Sequence, residues 1–593
     1  MKKLAIIFLI SCIGFSTNGQ IIHVPADYPT IQEGIDAAGS WFDTVLVAPG
    51  TYYENISFIG KRITVASNFI MSGDTMDIIN TVIDGSQPAN PDIGSTVSFA
   101  SYEDTTSIIC GFTITGGTGT YVPAVDVRSG GGIAIGYSGA KIIHNIIENN
   151  SVNGTHADGG GIGFGPPGDP GFVVIRNNKI RNNEAISTES AGGGGITSGN
   201  AIISNNIIQG NLARNTGSGS IYKCSGGGIF SSGSDNPEPV YIEFQGNVIS
   251  GNKSISESTD EWNGYGGGIS LYNVYGLIKN NTITENEIST ANKCLGCGIV
   301  CMYSDTSLLI EGNTIAHNYY GDGQSFGGGI MFYNASARLE NNMIYKNHAA
   351  LGGGLYIWDS DGGSGNTQMI NNTIVDNEAD EYGGAIYNDN TVSYVFNSII
   401  WDNESSGGEE LSGDYEVRYS DIEGEFTGEG NIDADPEFID PDNDDYHIQD
   451  YSPCCNMGYK FIVIGGTMLQ SPTIDFDGED RPDNYSMIPD IGADEHPFPE
   501  GIDNPSGSGL DISVYPNPCA DAVRLRLTNN EQRLTISDLY LISGRKVREL
   551  VNGEMMPGTY ELEIDVSDLP EGVYFIRLQA GNEVAVRKLL VVE

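Results

Sequence analysis

Cys294, Cys297 and Cys301 form a C-x-x-C-x-x-x-C cluster, a spacing that suits a metal ion or an iron–sulfur centre. Two acid-rich runs, Asp440, Asp442 and Asp444 in one and Asp475, Asp477 and Glu479 in the other, alternate carboxylates as a Ca²⁺-binding loop does. The first lacks full EF-hand spacing, because Tyr451 stands where the bidentate glutamate should be, and solvated acidic loops are the plainer reading. His156, Asp158, Asp322 and His348 are candidate acid–base groups, with Glu261, Lys293, Asp380 and Glu381 on similar loops. Two carboxylates at the right separation would hydrolyse a glycoside, and a basic group beside Ca²⁺ would abstract the proton in a lyase reaction. The sequence selects no pair among them.

The elements that must position these residues repeat. From Asn145 to Asn403 the phrase Asn-x-Ile-x-x-Asn is read nine times, with leading asparagines 145, 178, 206, 247, 281, 313, 342, 372 and 397; eight copies are exact, and the ninth reaches its closing asparagine one residue late, at Asn403. A glycine turn followed by Ile or Leu precedes most copies, as in Gly226-Gly227-Gly228-Ile229 and Gly352-Gly353-Gly354-Leu355. Such a unit cannot bury its own apolar face and must stack on its neighbours. The runs are short, β-branched and alternating, as in Ile330-Met331-Phe332-Tyr333, which is the period of a strand and not of a helix. A parallel β-solenoid follows, with Ile147, Ile180, Ile208, Ile249, Ile283, Ile315, Ile344, Ile374 and Ile399 as one inward column. Stacked asparagine amides are expected to bond along the axis.

The repeat also acts as a ruler. Cys297 takes the place of a middle glycine, and Cys301 the inward place of Leu271 and Phe332, so the cluster belongs to the core or to a local disulfide. Cys224 and Cys294 share a register two coils apart, about 9.6 Å, beyond direct disulfide reach. Cys454, Cys455 and Cys519 could be bridged in an oxidising compartment. Phe230, Tyr272, Tyr333, Tyr356, Trp358 and Tyr387 occupy outward places on the strand after each glycine turn. A row of exposed aromatics would bind the faces of sugar rings, with Asp305, Asp359 and Asp389 to bond hydroxyls, unless loops fold over it.

Met1-Lys2-Lys3 and the apolar run from Leu4 to Ile10 read as a secretory signal, with residues 1–19 removed, although Leu9-Ile10-Ser11-Cys12 also fits a loose lipobox. No other segment is long and apolar enough to span a bilayer. Thr30 and Glu33 form a capping box for a short helix over the open solenoid edge. Residues 404–500 hold 26 acidic side chains against three basic ones, and the whole chain carries a formal charge of −49. Such a surface favours Ca²⁺ and repels nucleic acid and anionic membranes.

Four stretches resemble known families. The repeats resemble the right-handed parallel β-helix of the pectin lyase-like superfamily over 21–405, and the handedness is implied by that resemblance alone. The opening, His23-Val24-Pro25-Ala26-Asp27-Tyr28-Pro29-Thr30, is similar to the capping helix and first coil of pectin methylesterase-type β-helices. Asp433-Ala434-Asp435-Pro436 with Asp490-Ile491-Gly492-Ala493-Asp494-Glu495 resembles the closing segment of secreted bacterial β-helices, which implies a cap at the far end. Val514-Tyr515-Pro516-Asn517-Pro518, Gly544-Arg545-Lys546-Val547 and Leu569-Pro570-Glu571-Gly572-Val573-Tyr574 resemble the C-terminal sorting domain of the type IX secretion system of Bacteroidetes. That resemblance implies contact with the secretion machinery, export across both membranes, and surface attachment or release.

The expected fold is all-β: a right-handed parallel β-helix over 20–405 (N-terminal cap and first coils to 130, nine coils from 131). An acidic cap (406–498), a linker (499–509) and a small Ig-like β-sandwich (510–593) follow. The polygalacturonase and pectin methylesterase catalytic segments are absent, so the resemblance carries over the scaffold and not the activity. The functional expectation is a surface or secreted polysaccharide binder. Its alternative is a polysaccharide lyase or glycoside hydrolase acting on acidic, plant or algal polysaccharide at the same face.

Overall fold

The computed structural model describes residues 19–496 and 510–591, apart from 40, 165–170, 218–222, 234–238, 259–261, 361–365, 425, 450 and 483–487 in the first stretch and 516, 518, 520–521, 530–532, 542–544, 571 and 581–582 in the second. The expected leader, the lipobox Cys12, the linker and Glu261 lie outside the described residues. The chain divides into two compact units, Met1–Glu495 and His496–Glu593.

The first unit is a parallel β-helix of three sheets. A typical coil runs Ile330–Tyr333, Arg338–Glu340, Met343–Tyr345 and His348–Leu351. The first two strands join a 24-stranded sheet that begins at the glycine turns, the third a 13-stranded asparagine sheet, and the fourth a 16-stranded third sheet. Each strand pairs in parallel with its counterpart one coil on, for example Ile330 with Leu355 and Ile344 with Ile374. Identical inward residues therefore stack, and every isoleucine in the column from Ile147 to Ile374 is fully buried. Burying one such side chain contributes about 1.5–3 kcal/mol, which is why the pattern repeats so strictly.

Two asparagine ladders flank that column. Asn313 shows how one rung is satisfied: its Nδ2 donates to Asn342 Oδ1 (3.0 Å) and Ile278 O (2.8 Å). Its Oδ1 accepts from the side-chain and backbone nitrogens of Asn281, both at 2.9 Å. A buried amide left unpaired would cost about 1–3 kcal/mol, so the ladder is what permits polar corners inside a solenoid.

The ninth repeat is corrected by one residue. Thr373 pairs with Ile399 and Ile374 with Ile400, so Ile400 joins the inward column and Ile399 faces outward. Ser398 takes the ladder position, its Oγ accepting from Asn372 N at 3.1 Å. Asn397 is instead the corner residue before the ladder, with φ +51°, matching Asn371, Asn341 and Asn280 in earlier coils. Asparagine tolerates that left-handed conformation as readily as it builds ladders, and residue type alone does not separate the two roles.

The amino end is covered by the short helix Ile31–Ala37, which buries Ile31, Gly34 and Ile35. Thr30 Oγ1 accepts from Glu33 N at 3.2 Å, while Glu54, one turn of chain away, accepts from Ile31 N and Gln32 N. At the other end Tyr415 and Phe426 pack against the last core residues. Most of the acidic segment lies elsewhere, along the flank of the final coils. Tyr446, Ile448, Cys454 and Ile491 cover the outward Met343, Val375 and Ile399, and Ile464 and Leu469 cover Ile370 and Phe396. The outward faces of these coils are apolar, and the acidic segment folds back to bury them.

All eight described cysteines are buried thiols, and none of them, Cys294, Cys297, Cys301, Cys454, Cys455 and Cys519 included, is in a disulfide. Cys224 and Cys294 are separated by Gly264 in register. Burial pushes the Cys294 thiol up to about 12, far from the thiolate a metal requires.

The second unit contains a three-stranded antiparallel sheet (Leu510–Tyr515, Ala522–Asn529, Gly558–Asp565) and a four-stranded one (Arg533–Leu541, Lys546–Met555, Gly572–Ala580, Glu583–Val591). Val523, Leu525, Leu527, Leu539, Ile576, Leu578 and Leu589 share one core between them. Asn517 bonds Leu590 N (2.7 Å) and Lys588 O (3.1 Å), fixing its turn to the last strand.

Candidate functional site

The glycine turns bring two outward columns together. One is the last residue of the third sheet before each turn: Ser129, Asp158, Gly192 and Ser225, then Tyr265, Leu295, Phe326 and Leu351. The other is the second residue after the turn: Thr197, Phe230, Ser270, Val300, Met331, Tyr356 and Tyr387. Glycine at the turn is required, because Gly327 has φ +78° and a Cβ there would lie 2.4 Å from Ile330 O. Across the turn the columns touch, with Phe326 and Tyr356 rings 5.2 Å apart. The corner is thus polar toward the amino end and apolar toward the carboxyl end.

The six aromatics expected on one surface divide between two registers. Phe230, Tyr356 and Tyr387 stand in the corner column, while Tyr272, Tyr333 and Trp358 stand two residues further along the same strands. Tyr356 is only 5% exposed, because it belongs to a cluster with Tyr265, Leu295, Phe326 and Met331. It supports the surface and does not present a face to solvent. The outer register forms a ladder of rings: Tyr272 to Tyr303 at 5.2 Å, Tyr303 to Tyr333 at 6.0 Å, and Tyr333 to Trp358 at 4.6 Å. Tyr272 and Tyr303 are exposed, and Tyr333 and Trp358 half-buried. Tyr303 escapes the strand pattern because it follows the strand Ile299–Met302, at φ +57°. Trp262 also joins, 6.5 Å from Tyr333, with the Lys293 ammonium 4.8 Å over its ring. Asp389 reaches Tyr356 Oη at 3.3 Å, Asp305 is exposed, and Asp359 is buried.

The acid–base candidates do not converge. His156 and Asp158 share the strand Ser151–Asp158, and His348 lies six coils away, about 29 Å along the axis. His156 Nε2 is 3.3 Å from Glu189. Asp158 lies in the polar end of the corner, where a Cβ on Gly192 would be 2.8 Å from both Asp158 Oδ1 and the Phe230 ring. Burial pushes the Asp158 carboxyl up to about 7. His348 Nε2 is 3.1 Å from Asp380 Oδ1, and Tyr320 Oη donates to the other oxygen of that carboxylate. Burial raises the Asp380 pKa, but the bonds from Tyr320 and His348 outweigh it and hold it below the usual value. Asp322 is exposed one coil from His348, and its carbonyl accepts from Thr290 N.

Of the calcium candidates, Asp444 is held by Lys346 Nζ (2.5 Å) and His317 Nε2 (2.9 Å), which ties the flank to the coils. Asp440 accepts from Asn443 Nδ2 (2.8 Å), and Asp442 is exposed in the turn Pro441–Asn443.

Among the described residues, then, the chain is a parallel β-helix with an aromatic outer corner and a separate β-sandwich unit. Residues 513–592 match the secretion system C-terminal sorting domain family, which marks the chain for type IX export to the cell surface or extracellular space. No curated protein matches the chain. No described helix is long and apolar enough to cross a membrane.

Proposed function

We propose that the exported chain is a polysaccharide-binding β-helix, on a scaffold related to the pectin lyase-like superfamily. The observation that carries the reading is the ladder Tyr272–Tyr303–Tyr333–Trp358, four rings on successive coils, the first two exposed and the last two half-buried. Rings spaced along a rigid axis suit the apolar faces of successive sugars, and Asp389, in register with Trp358, and the exposed Asp305, two residues past Tyr303, are the carboxylates to accept from hydroxyls. The formal charge of −49 favours neutral glycans, or acidic ones bridged by Ca²⁺. Affinity electrophoresis of the full chain against pectins, alginate and glycosaminoglycans, with and without Ca²⁺, tests this. Saturable retardation, lost in Tyr333→Ala with Trp358→Ala, is expected; retardation unchanged by that pair refutes the ladder.

One arrangement favours an enzyme as the second reading: Asp158 stands in the polar end of the same corner, in register between Ser129 and Gly192, where burial pushes its carboxyl up to about 7. A carboxyl poised there is suited to general acid–base catalysis on a chain bound at the aromatic end. New reducing ends or unsaturated uronates, abolished by Asp158→Asn, would establish that reading. Binding without turnover removes it.

A further inference from the structure

The acidic flank joins one carboxylate of the second acid-rich run, Asp477, to a histidine and an aspartate outside that run. A ring nitrogen of His447 and carboxylate oxygens of Asp477 and Asp494 all lie within 4.8 Å of one another, with Nε2 2.9 Å from Asp477 Oδ2. They come from three segments: the strand Asp445–Ile448, the turn after Asp475, and the closing stretch at Asp494. Each donor is fixed from behind. His447 Nδ1 lies 2.5 Å from Asp445 Oδ1, which orients the ring, and Asp494 Oδ2 accepts from Ile448 N at 3.0 Å. Asp475 gathers the N–H groups of Asp477, Glu479 and Glu495, setting the turn that carries Asp477.

The ring orientation leaves a problem for the bare protein. With its Nδ1 proton given to Asp445, a neutral His447 presents an Nε2 lone pair to Asp477 Oδ2 only 2.9 Å away. That Nε2 is shielded from solvent and makes no hydrogen bond of good geometry. Either a second ring proton or a metal ion must fill that contact, and a metal ion would serve the imidazole and both carboxylates at once. A carboxylate behind the imidazole is also how histidine ligands are oriented and made more basic.

We propose that His447, Asp477 and Asp494 bind one divalent transition-metal ion, zinc foremost, that pins the acidic flank together. Imidazole nitrogen with two carboxylates suits zinc or manganese, whereas calcium prefers an all-oxygen shell. The ion would also offset part of the charge in a segment with 26 acidic and three basic side chains.

The test is calorimetric titration of the untagged, chelator-stripped full chain with Zn²⁺, Mn²⁺ and Ca²⁺. One equivalent of Zn²⁺ or Mn²⁺ is expected to bind and to raise the unfolding midpoint by a few degrees. His447→Gln and Asp477→Asn should each abolish that binding, and Asp445→Asn, which touches no ion, should weaken it about tenfold. X-ray absorption of the zinc-loaded wild type, which needs no variant to fold, should show a nitrogen and oxygen shell at about 2.0–2.1 Å with imidazole scattering. No saturable binding, binding of Ca²⁺ alone, a sulfur shell, or binding that survives His447→Gln with Asp477→Asn would each overturn the proposal.

Discussion

Asn313 and Arg481 are both buried polar residues in the same unit, and they are satisfied by opposite means. Asn313 is one rung among many, bonded to like residues above and below and to the neighbouring backbone. Arg481 has no repeat: its guanidinium bonds Glu495 (3.1 Å), Asn341 Oδ1 (2.5 Å), and the carbonyls of Gly492 (3.1 Å) and Ala493 (2.7 Å). Coils are held by a neutral element that costs little to extend, because each rung meets an identical partner. The flank is held by single charged contacts that work only as complete sets. Damage should therefore stay local in the coils and spread through the flank.

The largest effect is expected from Arg481→Met. It takes the guanidinium from the buried Glu495 carboxylate and leaves it only neutral partners such as Asp490 N, at about 3–5 kcal/mol. Proteolysis should then cut the acidic segment while the coils before Asn313 stay protected; equal loss in both regions would erase the contrast. Asn313→Ala strands the side-chain and backbone N–H groups of Asn281 and should cost about 2–3 kcal/mol. Hydrogen exchange should rise in the adjoining coils only, as nearest-neighbour stacking requires.

A smaller effect follows where the ladder meets the acidic segment. Glu410 Oε1 accepts from Asn403 N at 3.1 Å, ending the ladder with a carboxyl in place of an amide. Burial, with Glu423 beside it, pushes the Glu410 pKa up from 4.5 to about 9. The folded state thus binds the proton more tightly than the unfolded chain, so stability is full below pH 4.5 and is lost as pH rises toward about 9. The loss is bounded at about 1.4 kcal/mol per pH unit from this group, and Glu410→Gln should flatten it in thermal melts between these limits. A melt that instead gains stability with rising pH in the wild type, and not in the variant, would contradict the sign. The smallest effect is Tyr356→Phe. It removes one 3.3 Å bond to Asp389 and should cost under about 1 kcal/mol, because the ring's packing in the apolar corner is kept.

Inward positions were legible in the residues themselves. Period two, β-branched side chains and asparagine at fixed spacing leave one architecture, and the sorting tail carries its motifs in contiguous sequence. The misplacement at Asn397 and Ile399 shows where that reading stops: an asparagine can be a rung or a left-handed corner, and only the pairing with the previous coil decides. Outward positions are a different matter. Whether Tyr356 faces solvent depends on Phe326 and Leu351, which approach from another sheet. Whether the acidic run covers an end or a side depends on the apolar Met343, Val375 and Ile399 beneath it.

His447, Asp477 and Asp494 are far enough apart in sequence that no spacing rule joins them. The repeat thus determined by itself what every coil must share, because stacking imposes one residue type at one place. Tertiary structure alone decided which unrepeated side chains meet on the outside, because those contacts come from chain segments whose separation in sequence carries no period.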